Sequence, residues 1–322
     1  MMALLVSCEV EFSPNAEWKE VPVVYCLLDQ DDDTTWARVE KCFLGEGSIY
    51  DYGMVSDSLN YPEGYLQVSL IAYRNGEQVD SMPFSYTEMD RDSGSFARAN
   101  QPIYCCRTRN RLESDCQYRL VVRHAADGKL VARSEPVPLV KESNNVITKP
   151  TNTTGFGFYD RNVASNSSAY CRIEWPAMTN ARLYQPMIRF YYDVDGHTEY
   201  IDMKCPVVKG TNALTYVIYY SRDAFLAEVK DRLKDDPRQK HYAKRVDIFM
   251  EACSEELNAY MAANAARGEG EGTSEAYTNI EGGLGVVASR RMHLHKSLPA
   301  DTSVRSNYGL YYFLKNLDIN MD

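Results

Sequence analysis

Short runs of apolar residues, several of them alternating with polar ones, recur along the first two-thirds of the chain. Val21 to Leu28 has the apolar character of a buried strand, and Thr34 to Leu44 alternates as a half-exposed strand does. Tyr65 to Tyr73 and Gln78 to Tyr86 flank Asn75-Gly76, which predicts a hairpin because both turn residues must tolerate positive φ. Strands at this spacing, separated by turn residues, predict an antiparallel sandwich.

A second hairpin is predicted where Tyr118 to Val122 and Leu130 to Arg133 flank Asp127-Gly128. The Tyr-x-Leu-x-Val pattern of the first strand resembles the penultimate strand of fibronectin-like sandwiches. Residues 21–140 are therefore interpreted as a fibronectin/Ig-like β-sandwich. The predicted fold class of the whole chain is mainly β with minor α.

The second part of the chain begins after a stretch rich in Pro, Ser, Asn and Thr. Residues 141–155 have the composition of an interdomain linker. Beyond them, Gln185 to Val194 and Thr198 to Lys204 are predicted to pair across Asp195-Gly196. Residues 156–322 are interpreted as a second, β-rich domain.

Two helices are predicted inside this second domain, where the apolar period changes from two to 3.6. Ser221 lies where an N-cap is expected, and Ser254 precedes Glu255 and Glu256 at the start of the second helix. The apolar face of the first helix comprises Phe225, Val229 and Leu233. The apolar stripe of the second comprises Leu257, Tyr260 and Met261.

The N-terminal residues indicate where in the cell the protein is located. Leu5-Val6-Ser7-Cys8 resembles a bacterial lipobox, in which the cysteine thiol takes up a diacylglycerol. Acyl chains contribute about 0.8 kcal/mol per buried methylene, and two or more of them anchor stably. Only seven residues precede Cys8 and none is basic, whereas a secretory signal is longer and begins with basic residues, so we expect a start codon further upstream.

Residues 1–20 are therefore interpreted as a truncated lipoprotein signal followed by an acidic tether, Glu9 to Glu17. Such a tether resembles the signal that sends lipoproteins of the Bacteroides group to the outer face of the outer membrane. The alternative is that Cys8 is an ordinary cysteine near an apolar N-terminus and that the acidic stretch is a solvated tail.

The charge balance argues against one class of partner. The 45 acidic residues exceed the 35 basic ones, which gives a formal net charge of −10. Nucleic acids and anionic lipid surfaces select cationic faces, so no nucleic-acid partner is expected.

Eight further cysteines suit an exported protein, and none of them lies in a C-x-x-C pair, so a zinc ribbon is unsupported. Two disulfide candidates suggest themselves: Cys26 with Cys42 across neighbouring strands, and Cys116 with Cys105 or Cys106 around a short loop. The alternative is that most of these residues are small buried thiols.

Further motifs carry a resemblance to a known family. Ser254-Glu-Glu-Leu-Asn-Ala-Tyr260 and Asn279-Ile-Glu-Gly-Gly-Leu-Gly-Val286, together with the lipobox and the Tyr118 strand, resemble a family of Bacteroides-group surface lipoproteins of unknown function. The resemblance implies a two-part β protein, often encoded beside a TonB-dependent transporter. It implies no catalytic residue.

The glycines of this last motif have a structural interpretation. Gly282, Gly283 and Gly285 predict the start of a strand with a bulge, where a side chain would collide with the neighbouring backbone. A phosphate-binding loop would need a helix after the glycines, whereas Val286-Val-Ala-Ser289 is typical of a strand.

No pattern predicts catalysis or a metal, and G-x-S-x-G is absent from the sequence. His293-Leu-His295 offers half of a zinc site, but Arg290, Arg291 and Lys296 make the stretch cationic, which favours a solvated strand face. The run Asp29 to Asp33 lacks the spacing of a calcium loop and is interpreted as a polar turn. We predict no catalytic residue, no metal and no cofactor.

Tyrosine is the most informative side chain, with 24 copies. Its amphipathic ring suits stacking on a sugar or a protein partner. The candidate binding residues are Tyr191, Tyr192, Tyr219, Tyr220, Tyr311 and Tyr312. The alternative is that these tyrosines serve as ordinary strand-forming residues.

These patterns predict a lipid-anchored outer-membrane protein, exposed at the cell surface, that binds without catalysing a reaction. The expected partners are outer-membrane lipid through Cys8, a TonB-dependent transporter, and a glycan or peptide ligand. Two alternatives stay open: a structural or adhesive surface protein of the pilus-subunit type, and a hydrolase built on loops of the second domain.

Overall fold

Strands dominate the parts of the chain that the computed structural model describes, and the predicted fold class, mainly β with minor α, is confirmed. The described residues are 21–42, 59–90, 101–142, 146–152, 155–158, 170–234, 236, 240–268, 277–299, 310, 314 and 319–321. Cys8, the acidic tether, Tyr311 and Tyr312 lie outside them.

The first sandwich is built from nine strands of the N-terminal half. They are β1 (Pro22–Leu28), β2 (Thr34–Lys41), β3 (Leu66–Arg74), β4 (Glu77–Pro83), β5 (Ser85–Met89), β6 (Gln101–Arg107), β7 (Gln117–His124), β8 (Leu130–Ser134) and β9 (Val137–Pro138). One sheet has the order β1-β2-β6-β5, and the facing sheet has the order β8-β7-β3-β4, with β9 also paired to β7. Alternate side chains of the two sheets, such as Val39 of β2 and Leu70 of β3, fill the core between them.

Tyr118 gives this sandwich a feature of Ig-like folds. Its ring is fully buried, and its hydroxyl oxygen accepts a hydrogen bond from the Glu113 backbone N–H at 2.5 Å. The same hydroxyl lies 3.3 Å from the Glu113 carbonyl oxygen. A tyrosine at the start of a strand that bonds back to the preceding backbone is the tyrosine corner of immunoglobulin-type sandwiches.

The second half of the chain adds nine more strands and two helices among the described residues. They are β10 (Tyr170–Pro176), β11 (Leu183–Val194), β12 (His197–Lys204), β13 (Val208–Lys209), β14 (Thr215–Ser221), α1 (Arg222–Leu233), β15 (His241–Cys253), α2 (Glu255–Gly268), β16 (Ile280–Glu281), β17 (Leu284–Pro299) and β18 (Ile319–Met321). The main sheet has the order β12-β11-β15-β17, with β13 paired to β11 and β18 paired to β15. The two-stranded sheet β10-β14 packs on the buried side of this main sheet.

The predicted turns form, with one difference. Asn75 and Gly76 have φ of 54° and 84°, and Asp195 and Gly196 have φ of 49° and 80°, as two-residue hairpins require. Between β7 and β8 only Gly128 has positive φ, because the loop is longer and the His124 N–H reaches the Lys129 carbonyl oxygen.

Helix α1 follows its prediction, whereas α2 departs from it. Ser221 caps α1 by accepting a hydrogen bond from the Ala224 N–H at 3.4 Å, and Phe225 and Val229 are buried. At α2 the Ser254 hydroxyl instead accepts from the Ser289 N–H, which ties the helix to β17. Met261, predicted in the apolar stripe of α2, is half exposed, so that part of the prediction is wrong.

Part of the segment predicted as a linker is packed. Ile147 is buried in the apolar core of the second half, and Lys149 makes a β-bridge with Glu174 of β10.

Strand β17 belongs to both halves of the molecule. Its first residues pair in parallel with β1, from Val23 with Leu284 to Leu28 with Ser289, and its later residues pair antiparallel with β15. The preceding strand β16 pairs with β8 in the facing sheet of the first sandwich. The C-terminal part of the chain therefore completes the N-terminal sandwich.

The Asn-Ile-x-Gly-Gly-x-Gly motif allows β17 to lie close enough to pair with β1. A Cβ on Gly285, where φ is +108°, would lie 2.0 Å from the Val24 carbonyl oxygen, and one on Gly283 would lie 2.6 Å from the Pro22 carbonyl oxygen. The predicted collision of a side chain with neighbouring backbone is confirmed. The Asn279 amide adds two hydrogen bonds to the backbone of Val287, one to its carbonyl oxygen at 2.7 Å and one from its N–H at 3.0 Å.

Candidate binding face

The outward side of the sheet β12-β11-β15 carries an unusual set of side chains. Because successive residues of a strand point to opposite sides, Ile188, Phe190 and Tyr192 face the core and are buried, while Arg189 and Tyr191 face outward. The set on this side of the sheet, called here the tyrosine–arginine face, comprises Arg189, Tyr191, Tyr200, Asp202, Arg245 and Asp247, of which Asp247 alone is buried.

Strand register brings these six side chains into two neighbouring rows. Tyr191 of β11 lies opposite Tyr200 of β12 on one side and Arg245 of β15 on the other. Arg189 lies between Asp202 and Asp247 in the next row. Each row therefore spans three strands of a hydrogen-bonded sheet, which is a rigid support for a binding site.

Each tyrosine ring is stacked by a guanidinium group. The guanidinium carbon of Arg245 lies 3.8 Å from the ring centroid of Tyr191, and that of Arg189 lies 4.1 Å from the ring centroid of Tyr200. Such stacks contribute about 0.5–1 kcal/mol each at exposed sites. The two rings lie 6.0 Å apart at an interplanar angle of 56°. The arginines thus fix both rings in place.

Both guanidinium charges are matched by carboxylates. Arg189 makes a two-pronged pair with Asp202, Nε to Oδ1 at 2.5 Å and Nη2 to Oδ2 at 2.7 Å. This hydrogen bonding raises the pKa of the Arg189 guanidinium above its usual value. Arg245 Nε lies 3.2 Å from Oδ1 of Asp247. The two rows carry two positive and two negative groups, so the face has no net charge.

The face is open enough to receive a ligand. Tyr200 is 51% exposed and Tyr191 is partly exposed. The pairing of β11 with β15 shifts register between Tyr191 and Tyr192. Irregularities of this kind re-aim a side chain and are common beside functional sites. The arrangement can stack on an apolar ring surface and can donate and accept hydrogen bonds at its edges.

A polar cluster borders the face beyond Tyr191. Lys244 Nζ donates to Asp193 Oδ2 at 2.8 Å and lies 3.1 Å from Thr198 Oγ1. The hydrogen bond from Lys244 is the main reason why the pKa of the Asp193 carboxyl is lowered. This cluster also balances its charges internally.

The structure separates the tyrosines that the sequence grouped. Tyr192 is buried, with its hydroxyl 3.0 Å from Glu199 Oε2, and Tyr220 is buried as well. Tyr219 is 63% exposed but lies on β14. Adjacent tyrosines on a strand point to opposite sides of the sheet. Tyr191 and Tyr192 therefore do not share a surface, and neither do Tyr219 and Tyr220.

Tyr200, Arg189 and Arg245 were missed by the sequence reasoning. Tyr200 could have been found from the predicted hairpin at Asp195-Gly196, because a two-residue turn there places Tyr191 opposite Tyr200. No comparable local signal connects Arg245, on a distant strand, with Tyr191.

The predicted disulfides are corrected. Cys26 is paired with Ala37, while the Cys42 N–H bonds to Val21, so the two cysteines are roughly 16 Å apart along β1 at 3.3 Å per residue. That exceeds the Cα separation of about 7 Å that a disulfide can span. Both are free thiols.

The second cysteine group is also unpaired. Cys105, Cys106 and Cys116 are free thiols. Cys106 Sγ contacts the Arg107 carbonyl oxygen at 3.9 Å, and Cys116 Sγ contacts Asp115 Oδ1 at 3.8 Å. Burial raises the pKa of both thiols.

The acidic run Asp29 to Asp33 forms the polar turn that was predicted. Asp29 is buried and accepts hydrogen bonds from the backbone N–H groups of Asp31 and Met292, both at 3.1 Å. Arg291 pairs with Asp31 at 2.9 Å, and Arg290 lies 3.8 Å from Asp32. These arginines of β17 therefore neutralise the carboxylates of Asp31 and Asp32.

Two other groups of candidate metal ligands occur in the sequence or the structure, and only one of them is fully described. The side chains of His293 and His295 lie outside the described residues. Glu113, Asp115 and Cys116 present ligand atoms within 4.8 Å of one another. Arg74 already forms salt bridges with both of these carboxylates, so a cationic group fills the cluster.

Comparisons with known proteins place the chain in no family. No family model matches it. No curated protein matches it either. Eight chains of solved structures do match.

Two of the matched chains come from crystal forms of a cytokine receptor complex. One is 10% identical with a TM-score of 0.26, and the match covers 87% of this chain and 98% of that chain. The other is 10% identical with a TM-score of 0.21, covering 73% and 92% respectively. Likenesses at these TM-scores carry no argument about function.

Neither α1 nor α2 is long and apolar enough to cross a bilayer.

Proposed function

We propose that this protein is a lipid-anchored surface protein that binds an uncharged ligand on its tyrosine–arginine face. The observation that carries the proposal is the tyrosine–arginine face itself: the exposed ring of Tyr200 lies beside the partly exposed ring of Tyr191, and each ring is fixed by a guanidinium group that a carboxylate neutralises. A rigid surface of this kind offers ring faces for stacking and polar edges for hydrogen bonds.

Charge balance selects the ligand class. A phosphate or carboxylate ligand would have to compete with Asp202 and Asp247 for the arginines, and a cationic ligand would compete with the arginines for the carboxylates. A neutral glycan, or an uncharged stretch of peptide, can stack on Tyr191 and Tyr200 without breaking either ion pair. Flat strand faces also favour extended ligands over small compact ones.

Binding without turnover is supported by how the charged groups are used. The Arg189–Asp202 pair is two-pronged, so its donors and acceptors are oriented toward each other. A general acid or base must instead exchange a proton with the substrate within hydrogen-bonding reach. The ion pairs serve to position the rings.

The proposed location at the outer membrane depends on lipidation of Cys8. The lipobox-like Leu5-Val6-Ser7-Cys8 supports lipidation, and the family resemblance supports an outer-membrane location beside a TonB-dependent transporter. Growth of the expressing bacterium with labelled palmitate tests the anchor. We expect label in the wild-type chain and none in Cys8→Ser, and an unlabelled wild-type chain would contradict it.

The binding proposal is tested by probing the full chain on glycan and peptide arrays, followed by titration of the hits. Tyr200→Ala and Tyr191→Ala should each weaken binding about two- to tenfold, which corresponds to a loss of about 0.5–1.5 kcal/mol of aromatic contact. Tyr65→Ala is the matched control, because Tyr65 is 43% exposed on the other sandwich.

Three results would count against the proposal. Binding that survives both tyrosine variants would place the ligand elsewhere, and equal weakening by Tyr65→Ala would indicate a general effect on folding. Release of cleaved product from a bound ligand would favour the alternative of a hydrolase.

A structural or adhesive role remains the second candidate, because one observation favours it. Strand β14 has an edge with which no described strand pairs, and free strand edges accept added strands from other chains.

A further inference from the structure

One edge of β14, with which no described strand pairs, differs from the edge strands β4, β5 and β12 in the side chains that it carries. β14 pairs with β10 over its whole length, from Thr215 with Pro176 to Ser221 with Tyr170. Among the described strands, none pairs with the opposite edge of β14. The seven residues of β14 therefore border a position that no described strand occupies in the smaller sheet of the second half.

Charged side chains protect the comparable edges. The edge strand β4 carries Glu77 and Asp80, β5 carries Glu88, and β12 carries Glu199 and Asp202. Charges on an edge strand oppose pairing with another chain, because they would be buried or placed against like charges.

β14 has no charged side chain of this kind. Its sequence, Thr-Tyr-Val-Ile-Tyr-Tyr-Ser, contains no charge, proline or glycine and consists almost entirely of strand-forming residues. Its exposed apolar side chains are Val217 and Tyr219, at 37% and 63%, and Leu214 beside it is 87% exposed. An uncharged, apolar and unprotected edge is the kind that accepts another strand.

We infer that β14 pairs antiparallel with β14 of a second copy of this chain, about a two-fold axis at Ile218. This register is the one that pairs all seven residues and keeps outward side chains on the same side. It places Val217 opposite Tyr219 of the second copy, and Tyr216 opposite Tyr220. Aromatic residues opposite β-branched or aromatic residues are favourable cross-strand pairs.

The charge pattern of β14 is compatible with pairing to its own copy. Antiparallel self-pairing brings a sequence against its own reverse, so any charge near the centre would meet its own sign. β14 has no charge between Thr215 and Ser221, and Arg222 lies beyond the last pair. Arg172 and Glu174, next to the edge on β10, already form a salt bridge with each other.

The pairing has a structural consequence for each copy. The two-stranded β10-β14 sheet would become one four-stranded sheet across the dimer. Two strands alone form a marginal sheet, whereas three or more with an apolar face are stable. Because the same patch is used on both copies, the assembly closes at two chains.

The test is the mass of the purified full chain in solution, measured by light scattering and sedimentation under reducing conditions over a wide range of protein concentration. We expect a reversible species of twice the 36.7 kDa chain mass. The double variant Val217→Lys with Tyr219→Lys should be monomeric, because each lysine meets a lysine of the second copy. The double variant Val217→Glu with Tyr219→Glu should be monomeric for the same reason.

An equimolar mixture of the lysine and glutamate variants should recover the dimer, since every repelling pair becomes an attracting one. Val79→Lys, at a half-exposed position on edge strand β4, is the matched control and should remain dimeric. Circular dichroism and thermal unfolding check that each variant is folded.

Each other result overturns the inference. A wild-type chain that stays monomeric at all concentrations refutes self-pairing, and so does a dimer that persists in both double variants or is lost in Val79→Lys. A mixture that stays monomeric refutes the register. A ladder of higher oligomers refutes the closed two-fold arrangement and favours head-to-tail strand donation. These readouts are independent of ligand binding on the tyrosine–arginine face.

Discussion

Replacing Gly285 with alanine probes a close approach between strands β17 and β1. The new Cβ would lie 2.0 Å from the Val24 carbonyl oxygen, so β1 and β17 must separate by about 1 Å to restore even a tight contact of 3.0 Å. A ladder hydrogen bond of ordinary length, about 2.9 Å, becomes about 3.9 Å after such a shift and is lost.

The expected loss of stability has two parts. Alanine at positive φ costs about 1–2 kcal/mol. Two or three broken ladder bonds next to Val24 add about 0.5–1.5 kcal/mol each. The free energy of unfolding should therefore fall by about 2–6 kcal/mol, the upper part of which is in the range of the most damaging single substitutions.

Urea denaturation followed by far-UV circular dichroism measures this loss. Gly76→Ala is the matched control, because Gly76 also has positive φ, +84°, but has no atom within 4 Å of the new Cβ. The control should lose about 1–2 kcal/mol. If Gly285→Ala and Gly76→Ala lose the same free energy, the steric argument for the Gly285 position is wrong.

Two further predictions concern charged and ionisable groups. Arg291, whose side chain is 8% exposed, pairs with Asp31, whereas Arg290 is 32% exposed with one contact at 3.8 Å. Arg291→Ala should lower the free energy of unfolding by about 2–4 kcal/mol and Arg290→Ala by less than about 1, and equal losses would contradict this. Burial raises the pKa of Cys26 to about 12 from 9.0, so the stability linked to this neutral thiol is present below about pH 9 and lost as the pH rises toward 12. Iodoacetamide at about pH 8 should therefore leave native Cys26 unmodified while modifying the half-buried Cys105, as mass spectrometry can read.

Local features of the fold were predictable from the sequence. Two-residue turns at Asn75-Gly76 and Asp195-Gly196, and the α1 cap at Ser221, each depend on residues within a few positions of one another. The collision that requires glycine at position 285 was also predictable in kind, because a glycine-rich start of a strand indicates a close backbone neighbour.

Long-range features were not predictable. Periodicity identifies β17 as a strand but contains no information about its partner, so its parallel pairing with β1 could not be inferred. The same limit applies to the candidate site. Strand alternation could have assigned Tyr191 and Tyr192 to opposite sides, but the stacking of Arg245 on Tyr191 depends on the register between distant strands.

The shared strand β17 also determines when the N-terminal sandwich can finish folding. β1 is among the first described elements to leave the ribosome, and the segment that covers its outer edge, from Leu284 to Ser289, is among the last. Until residues 284–289 have been synthesised, the nascent N-terminal sandwich presents an uncovered margin along β1. Final closure of that sandwich consequently waits for a segment about 260 residues further along the chain, and a chain that stops before Leu284 would leave β1 exposed to association with other polypeptides.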